Sequence, residues 1–212
     1  MRPAILLLSL LFLLPISAIT AQDSAGKLPS AKDFILLANT FRPGVYKSFQ
    51  EFQLNTPSMQ GNVVIRQRSA TAQKYLLASR NELYLVDDNG FEQKIKEAWG
   101  YSDGKDIYIR DNGWNKIQMV GSWCLYEIRG VGATPGYNPN DIQIRPVASS
   151  YKKQRVFNAY TGQQYDLTVF YMRKYILADD PPLLDEFKAD KERQDRLEYY
   201  IQRYNQHKRP IQ

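Results

Sequence analysis

Between Glu82 and Gly130 apolar and polar residues alternate with a period of two, and four turn signals divide the stretch into five antiparallel strands. The signals are Asn89-Gly90, Asp103-Gly104, Asn112-Gly113 and Gly121-Ser122. The first three suit type I′ turns, whose central residues need positive φ, and Gly-Ser suits type II′. Two-residue turns fix register, so cross-strand partners follow by counting. Trp99 is expected opposite Tyr108, Tyr101 opposite Asp106, Tyr108 opposite Ile117, Ile117 opposite Tyr126 and Met119 opposite Cys124. At the first turn the same count sets Asp87 against Glu92, a like-charge conflict that predicts a longer loop there.

Alternation sorts these residues onto two faces. One carries Tyr84, Val86, Phe91, Ile95, Trp99, Tyr101, Tyr108, Ile117, Met119, Cys124, Tyr126 and Ile128, and is the expected core. The reverse face mixes Lys94, Lys96 and Lys116 with Ile109, Trp114, Trp123 and Leu125. Rings beside ammonium groups suit a protein or glycan partner, so Lys94, Lys96, Ile109, Trp114, Lys116 and Trp123 form the candidate partner-binding set. The competing reading is that the residue 32–79 region or a helix covers them. A bulge anywhere would exchange the faces beyond it.

The flanks add shorter elements. Residues 32–41 read as a short helix or a strand, and the pattern does not choose between them. Ser48 followed three residues later by Glu51 is a capping box for a short helix that turns Phe49 and Phe52 onto the sheet as a plug and ends at Thr56-Pro57-Ser58. Asn62–Arg68 and Gln73–Arg80 alternate as two further strands. Residues 131–155, with Gly132, Pro135-Gly136 and Pro139, read as a long loop, near a local positive spot at Lys152, Lys153 and Arg155. Val156–Tyr160 and Gln163–Leu167 suggest a hairpin about Thr161-Gly162. Thr168 is placed to cap a helix over Val169–Leu177, and Asp179-Asp180-Pro181-Pro182 breaks it and starts another. The stripe Leu184, Phe187, Leu197, Ile201 and Tyr204 lapses between Asp190 and Arg196, which points to two helices within residues 168–206. The expected class is α+β: an antiparallel meander, as an open sheet or a partly closed barrel or roll, with a short N-terminal helix and C-terminal helices.

The start of the chain changes the setting. Met1-Arg2, the apolar run Ala4–Leu14, Pro15 and small residues up to Ala21 have the build of a secretory signal peptide over residues 1–21, with cleavage before Gln22. The run is too short for a transmembrane helix, which needs about 20 apolar residues. Residues 22–212 then form a single domain, long enough for a full core, behind a flexible lead over residues 22–30. The expected location is periplasmic or secreted. No cysteine follows the leader closely enough to be acylated, so a lipoprotein is not expected. The formal net charge of +6 is spread along the chain; it serves solubility first and leaves attraction to anionic glycans or membrane surfaces open. Nucleic acid is disfavoured because no basic cluster exists.

Candidate chemistry is sparse. A single cysteine excludes an internal disulfide, and Cys124, on the expected core face, reads as a buried structural thiol. The one histidine, His207, lies in a polar C-terminal tail, which leaves neither zinc spacing nor a base for a serine or cysteine nucleophile. No Gly-rich phosphate loop precedes a helix. Paired carboxylates stay formally open, and Asp106 beside Tyr101 is the only one placed on an aromatic face, where a turn aspartate making local hydrogen bonds is the commoner case. No catalytic residue, cofactor or metal is assigned.

The run Ala98-Trp99-Gly100-Tyr101-Ser102-Asp103-Gly104-Lys105-Asp106-Ile107-Tyr108-Ile109 resembles a motif of uncharacterised secreted bacterial proteins. In those a Gly-x-Tyr-x-x-Phe-x-x-Phe segment precedes it, as Gly44, Tyr46, Phe49 and Phe52 do here. An ending like Leu177–Pro181, followed by a helix closing on Tyr204-Asn205, belongs to the same resemblance, which covers most of the chain after the leader. It implies no activity and carries over no catalytic residue. The expectation is a non-catalytic envelope or secreted module that binds a protein or glycan through the Trp/Lys face. A carrier of a small apolar ligand inside a meander barrel is the alternative, and an envelope hydrolase the third.

Overall fold

A computed structural model describes residues 34–38, 40–67, 81–87, 89–136 and 145–208. The expected leader and the expected strand Gln73–Arg80 lie outside the described residues. Among these residues eleven strands form two open antiparallel sheets. One has eight strands in the order β11-β10-β9-β8-β7-β6-β1-β2, and the other has three in the order β3-β4-β5. In chain order these are β1 (Gly44–Tyr46), α1 (Phe49–Gln53), β2 (Met59–Gln60), β3 (Asn62–Gln67), β4 (Asn81–Val86), β5 (Glu92–Ile95), β6 (Gly100–Ser102), β7 (Ile107–Arg110), β8 (Trp114–Met119), β9 (Trp123–Gly136), β10 (Arg145–Asn158) and β11 (Gln164–Asp166). The helices α2 (Val169–Tyr171), α3 (Pro181–Ala189) and α4 (Leu197–His207) follow, with a π-helical turn over Met172–Ile176 continuing α2. The class is α+β, as the pattern predicts, and neither sheet closes into a barrel.

The meander is not continuous. The expected strand between Phe91 and Ser102 is cut at residues 96–99: β5 pairs with β4, whereas β6 pairs with β1 and β7. Trp99 stands at the β6 side of the break, its N–H donating to the Tyr46 carbonyl. Its indole leaves the sheet to pack 4.6 Å from Phe52 and 5.6 Å from Phe157, and its carbonyl accepts from Arg110 N–H. Phe91, placed in the core by alternation, is 70% exposed in the loop before β5.

Loop chemistry overrides the two-residue turn signals. Val86 pairs with Glu92, so the first hairpin has the longer loop that the Asp87–Glu92 conflict predicts; there Asp87 Oδ1 accepts from Asn89 and Phe91 N–H. Ser102 pairs with Ile107 because Asp103 Oδ1 takes the Lys105 and Asp106 N–H groups and holds a four-residue loop. That shift of two keeps the faces and brings Tyr101, rather than Trp99, onto Tyr108 at 4.5 Å in parallel stacking. Arg110 pairs with Trp114 across a three-residue loop in which Asn112 (φ 50°) and Gly113 (φ 132°) take positive φ. This slip of one places Lys116, not Ile117, opposite Tyr108. Ile117 does meet Tyr126, but a bulge before Met119 turns that side chain to Leu125 and away from Cys124.

Residues 131–136 and 145–150 are strand rather than the expected loop. The ladder of β9 and β10 runs from Trp123–Asn158 to Gly136–Arg145. Beyond Tyr126 this ribbon has no third strand among the described residues, and Pro135 and Pro146 pair with each other where prolines are tolerated.

Both faces of the eight-stranded sheet are covered. On one, α1 and the segment before it pack Ile35, Tyr46, Phe52, Ile109, Ile117, Cys124, Tyr126 and Phe157 together. The cap is the expected one: Ser48 Oγ accepts from Glu51 N–H, while Glu51 Oε2 accepts from Lys47 N–H. On the other face the three-stranded sheet covers the β1–β6–β7 end through Val45, Leu83, Ile95 and Tyr101. The helices cover the β9–β10 end through Trp123, Leu125, Val156, Met172, Ile176, Phe187 and Ile201. Thr168 Oγ1 caps α2, and Asp180 caps α3 with Pro181 and Pro182 behind it, as the sequence indicates. No helix of the described residues is long and apolar enough to cross a membrane.

Candidate functional site

The six residues of the expected Trp/Lys surface do not share one face. Ile109 is wholly buried under α1 and Trp123 lies beneath the C-terminal helices. Trp114 is half-buried against Tyr101, its ring 5.4 Å away, under the three-stranded sheet. Lys94 pairs with Glu82 at 2.6 Å on that smaller sheet, Lys96 is exposed in the linking segment, and Lys116 reaches Asp106 at 2.7 Å. The one-residue slip at Asn112, the bulge before Met119 and the break at Trp99 together scatter them.

Aromatic rings beside free cations do occur, on α2 and its π-helical turn. Leu177 N–H donates to Met172 O at 2.9 Å, the five-residue spacing of a π-turn. This turn buries Met172 and Ile176 and leaves Phe170, Arg173, Lys174 and Tyr175 outside. Tyr175 stacks on Tyr165 of β11 at 4.7 Å and 8°, with Tyr171 5.2 Å from the same Tyr165 ring. Lys174 Nζ stands 5.4 Å from the Phe170 ring and 5.1 Å from that of Tyr175. Phe170 is 59% exposed, the most open ring of the helical layer.

Between this turn and α3 lies an open hollow of about 410 Å³ lined by Phe170, Arg173, Lys174, Leu184 and Lys188. Lys188 has Asp185 at 3.0 Å, an exposed pair, while Arg173 and Lys174 have no carboxylate partner among the described residues. An apolar floor under three cations suits an anion that also presents an apolar face. The sequence marks this helix through its Thr168 cap, but the hollow needs α3 folded back alongside it, and no local pattern reports that.

Other polar groupings hold the fold together. Arg155 joins Asp111 and lies 3.2 Å from Asp166, Lys153 reaches Asp166 at 2.6 Å, and the Tyr126 hydroxyl donates to Asp111 at 2.7 Å. These bonds tie the β7–β8 loop to β10 and β11. Asp106 is a loop residue engaged by Lys116, with its N–H donating to the Asp103 carboxylate of the same loop. His207 is not in a loose tail: it ends α4 with Nδ1 2.8 Å from Asp180 Oδ2. Cys124 is buried, donates to the Gly121 carbonyl, and burial pushes its thiol up to about 12. No group of three or more metal-ligating side chains occurs among the described residues.

One comparison bears on this chain. Residues 44–121 match the model of a family of unknown function, DUF6563. The DUF6563 match runs from β1 to the turn after β8; it spans the Gly44–Phe52 segment and the Ala98–Ile109 run, and leaves out the Leu177–Pro181 ending that belongs to the same resemblance. It stops before β9, so the hollow on the helical layer lies outside it. No curated protein and no solved structure matches the chain.

Proposed function

We propose that this chain is an exported, non-catalytic binding module that holds an acidic glycan of the cell envelope at the hollow between α2 and α3. The apolar leader supports export, and the absence of a nucleophile–base pairing in the sequence supports binding without turnover. The observation that carries the choice of ligand is the pair Arg173 and Lys174, free of carboxylates, beside the open Phe170 ring. A sugar ring lays its C–H face on an exposed aromatic, and its carboxylate or sulfate takes the guanidinium and ammonium donors.

Titration calorimetry with oligogalacturonate, and with neutral maltotriose as control, tests the reading. The acidic oligosaccharide should bind and weaken as salt rises, because exposed charges are screened. Arg173→Ala with Lys174→Ala should lower affinity by roughly tenfold or more, and Phe170→Ala by a similar factor, with melting temperatures unchanged since all three side chains are exposed. Failure of the folded chain to bind any anionic glycan, or retention of an acidic protein in its place, overturns the proposal.

A further inference from the structure

A second hollow, about 320 Å³, lies against the turn between β8 and β9 and shares no lining residue with the first. Leu36, Met119 and Val120 give it an apolar side, and Gln202, Asn205 and Gln206 a polar one. No described residue that lines it is ionisable. Three features of the chain converge there. The bulge in β8 turns Met119 toward α4, where its sulfur lies 3.5 Å from Asn205 Nδ2. Asn205 closes the wall by accepting from Trp123 N–H at 2.9 Å and donating to the Trp123 carbonyl at 2.9 Å, as a neighbouring strand would. Gly121 makes this approach possible, because a Cβ there would overlap the Asn205 carboxamide.

Bulges concentrate where a side chain must be re-aimed next to a site. The Gln202 and Gln206 carboxamides make no hydrogen bond to any described residue and stand one helical turn apart on α4, i to i+4. We infer that this hollow binds one neutral sugar ring, either as a free monosaccharide or as a terminal residue of a glycan. A pyranose has an apolar C–H face for Leu36, Met119 and Val120, and hydroxyls that both donate and accept for the two amides. The volume sits at the small end of ligand pockets, room for a single ring rather than a chain. The inference is independent of the acidic-glycan reading: different residues carry it, and without charge its binding does not respond to salt.

Saturation-transfer NMR on the full chain with glucose, galactose, mannose and N-acetylglucosamine, and with maltotriose for the terminal-residue case, provides the test. At least one sugar should receive magnetisation at millimolar concentration, equally at low and high salt, and unchanged by Arg173→Ala with Lys174→Ala. Gln202→Ala with Gln206→Ala, both exposed and harmless to folding, should weaken binding about tenfold, the loss of two ordinary hydrogen bonds. Transfer to none of the five sugars overturns the inference. So does transfer that survives the double glutamine variant.

Discussion

Gly121 occupies a position where any side chain collides with a helix far along the chain. Asn205 cannot move aside to accommodate it, being held at both the N–H and the carbonyl of Trp123. Gly121→Ala should therefore cost about 1–3 kcal/mol in urea unfolding, the range for overpacking. Asn205→Ala should cost about 1–3 kcal/mol through the orphaned Trp123 groups. Because both changes break one contact, the double variant should lose less than their sum. The sequence shows Gly121-Ser122 only as a turn signal; the demand for glycine comes from Asn205, on a helix near the other end of the chain and beyond any local pattern. Cys124 was legible, since the same alternation that put it with Tyr126 put it inside. With its thiol pushed up to about 12 by burial, it should resist iodoacetamide at neutral pH in the folded chain and react at once in urea.

The junction of α3 and α4 is an element-scale device. Asp180 caps α3 through Leu183 N–H and meets His207 at the far end of α4, while neighbouring Asp179 accepts from the Tyr204 hydroxyl at 2.9 Å and faces Lys208 at 3.4 Å. Burial pushes the Asp180 carboxyl up, but the His207 and Leu183 hydrogen bonds, with the charges of His207 and Lys208, outweigh it and leave the pKa lowered. A lowered carboxylate contributes stability above its unfolded value, near 4, and loses it as pH falls through the folded value. Asp180→Asn keeps a competent cap but not the charge, so it should be less stable by about 1–2 kcal/mol at pH 7. In melting curves taken down to strongly acid pH, that gap should close once pH passes below the usual carboxylate range. These helices were readable because caps, prolines and the lapse after Asp190 are local signals. The hairpin registers were readable only in part. Asp103 and Asp87 spend their carboxylates on loop N–H groups, which lengthens turns that the Asp-Gly and Asn-Gly signals would have made tight.

At the scale of the whole molecule, alternation divides an apolar face from a polar one only when one side of a sheet meets water. Here α1, the smaller sheet and the C-terminal helices share out both sides, so Ile109 and Trp123 on the supposedly open face are as buried as Tyr126 on the core face. The antiparallel α+β class survived this because it depends on which elements exist and not on which side they show. The surface for a partner did not survive, because it required three successive registers to be correct at once. One more property follows from the strand order. The large sheet stops at β2 and β11, which are two and three residues long. A foreign strand would find only a few rungs at those two rims; the place with room to add one is the β9–β10 ribbon past Tyr126, which has no third strand among the described residues.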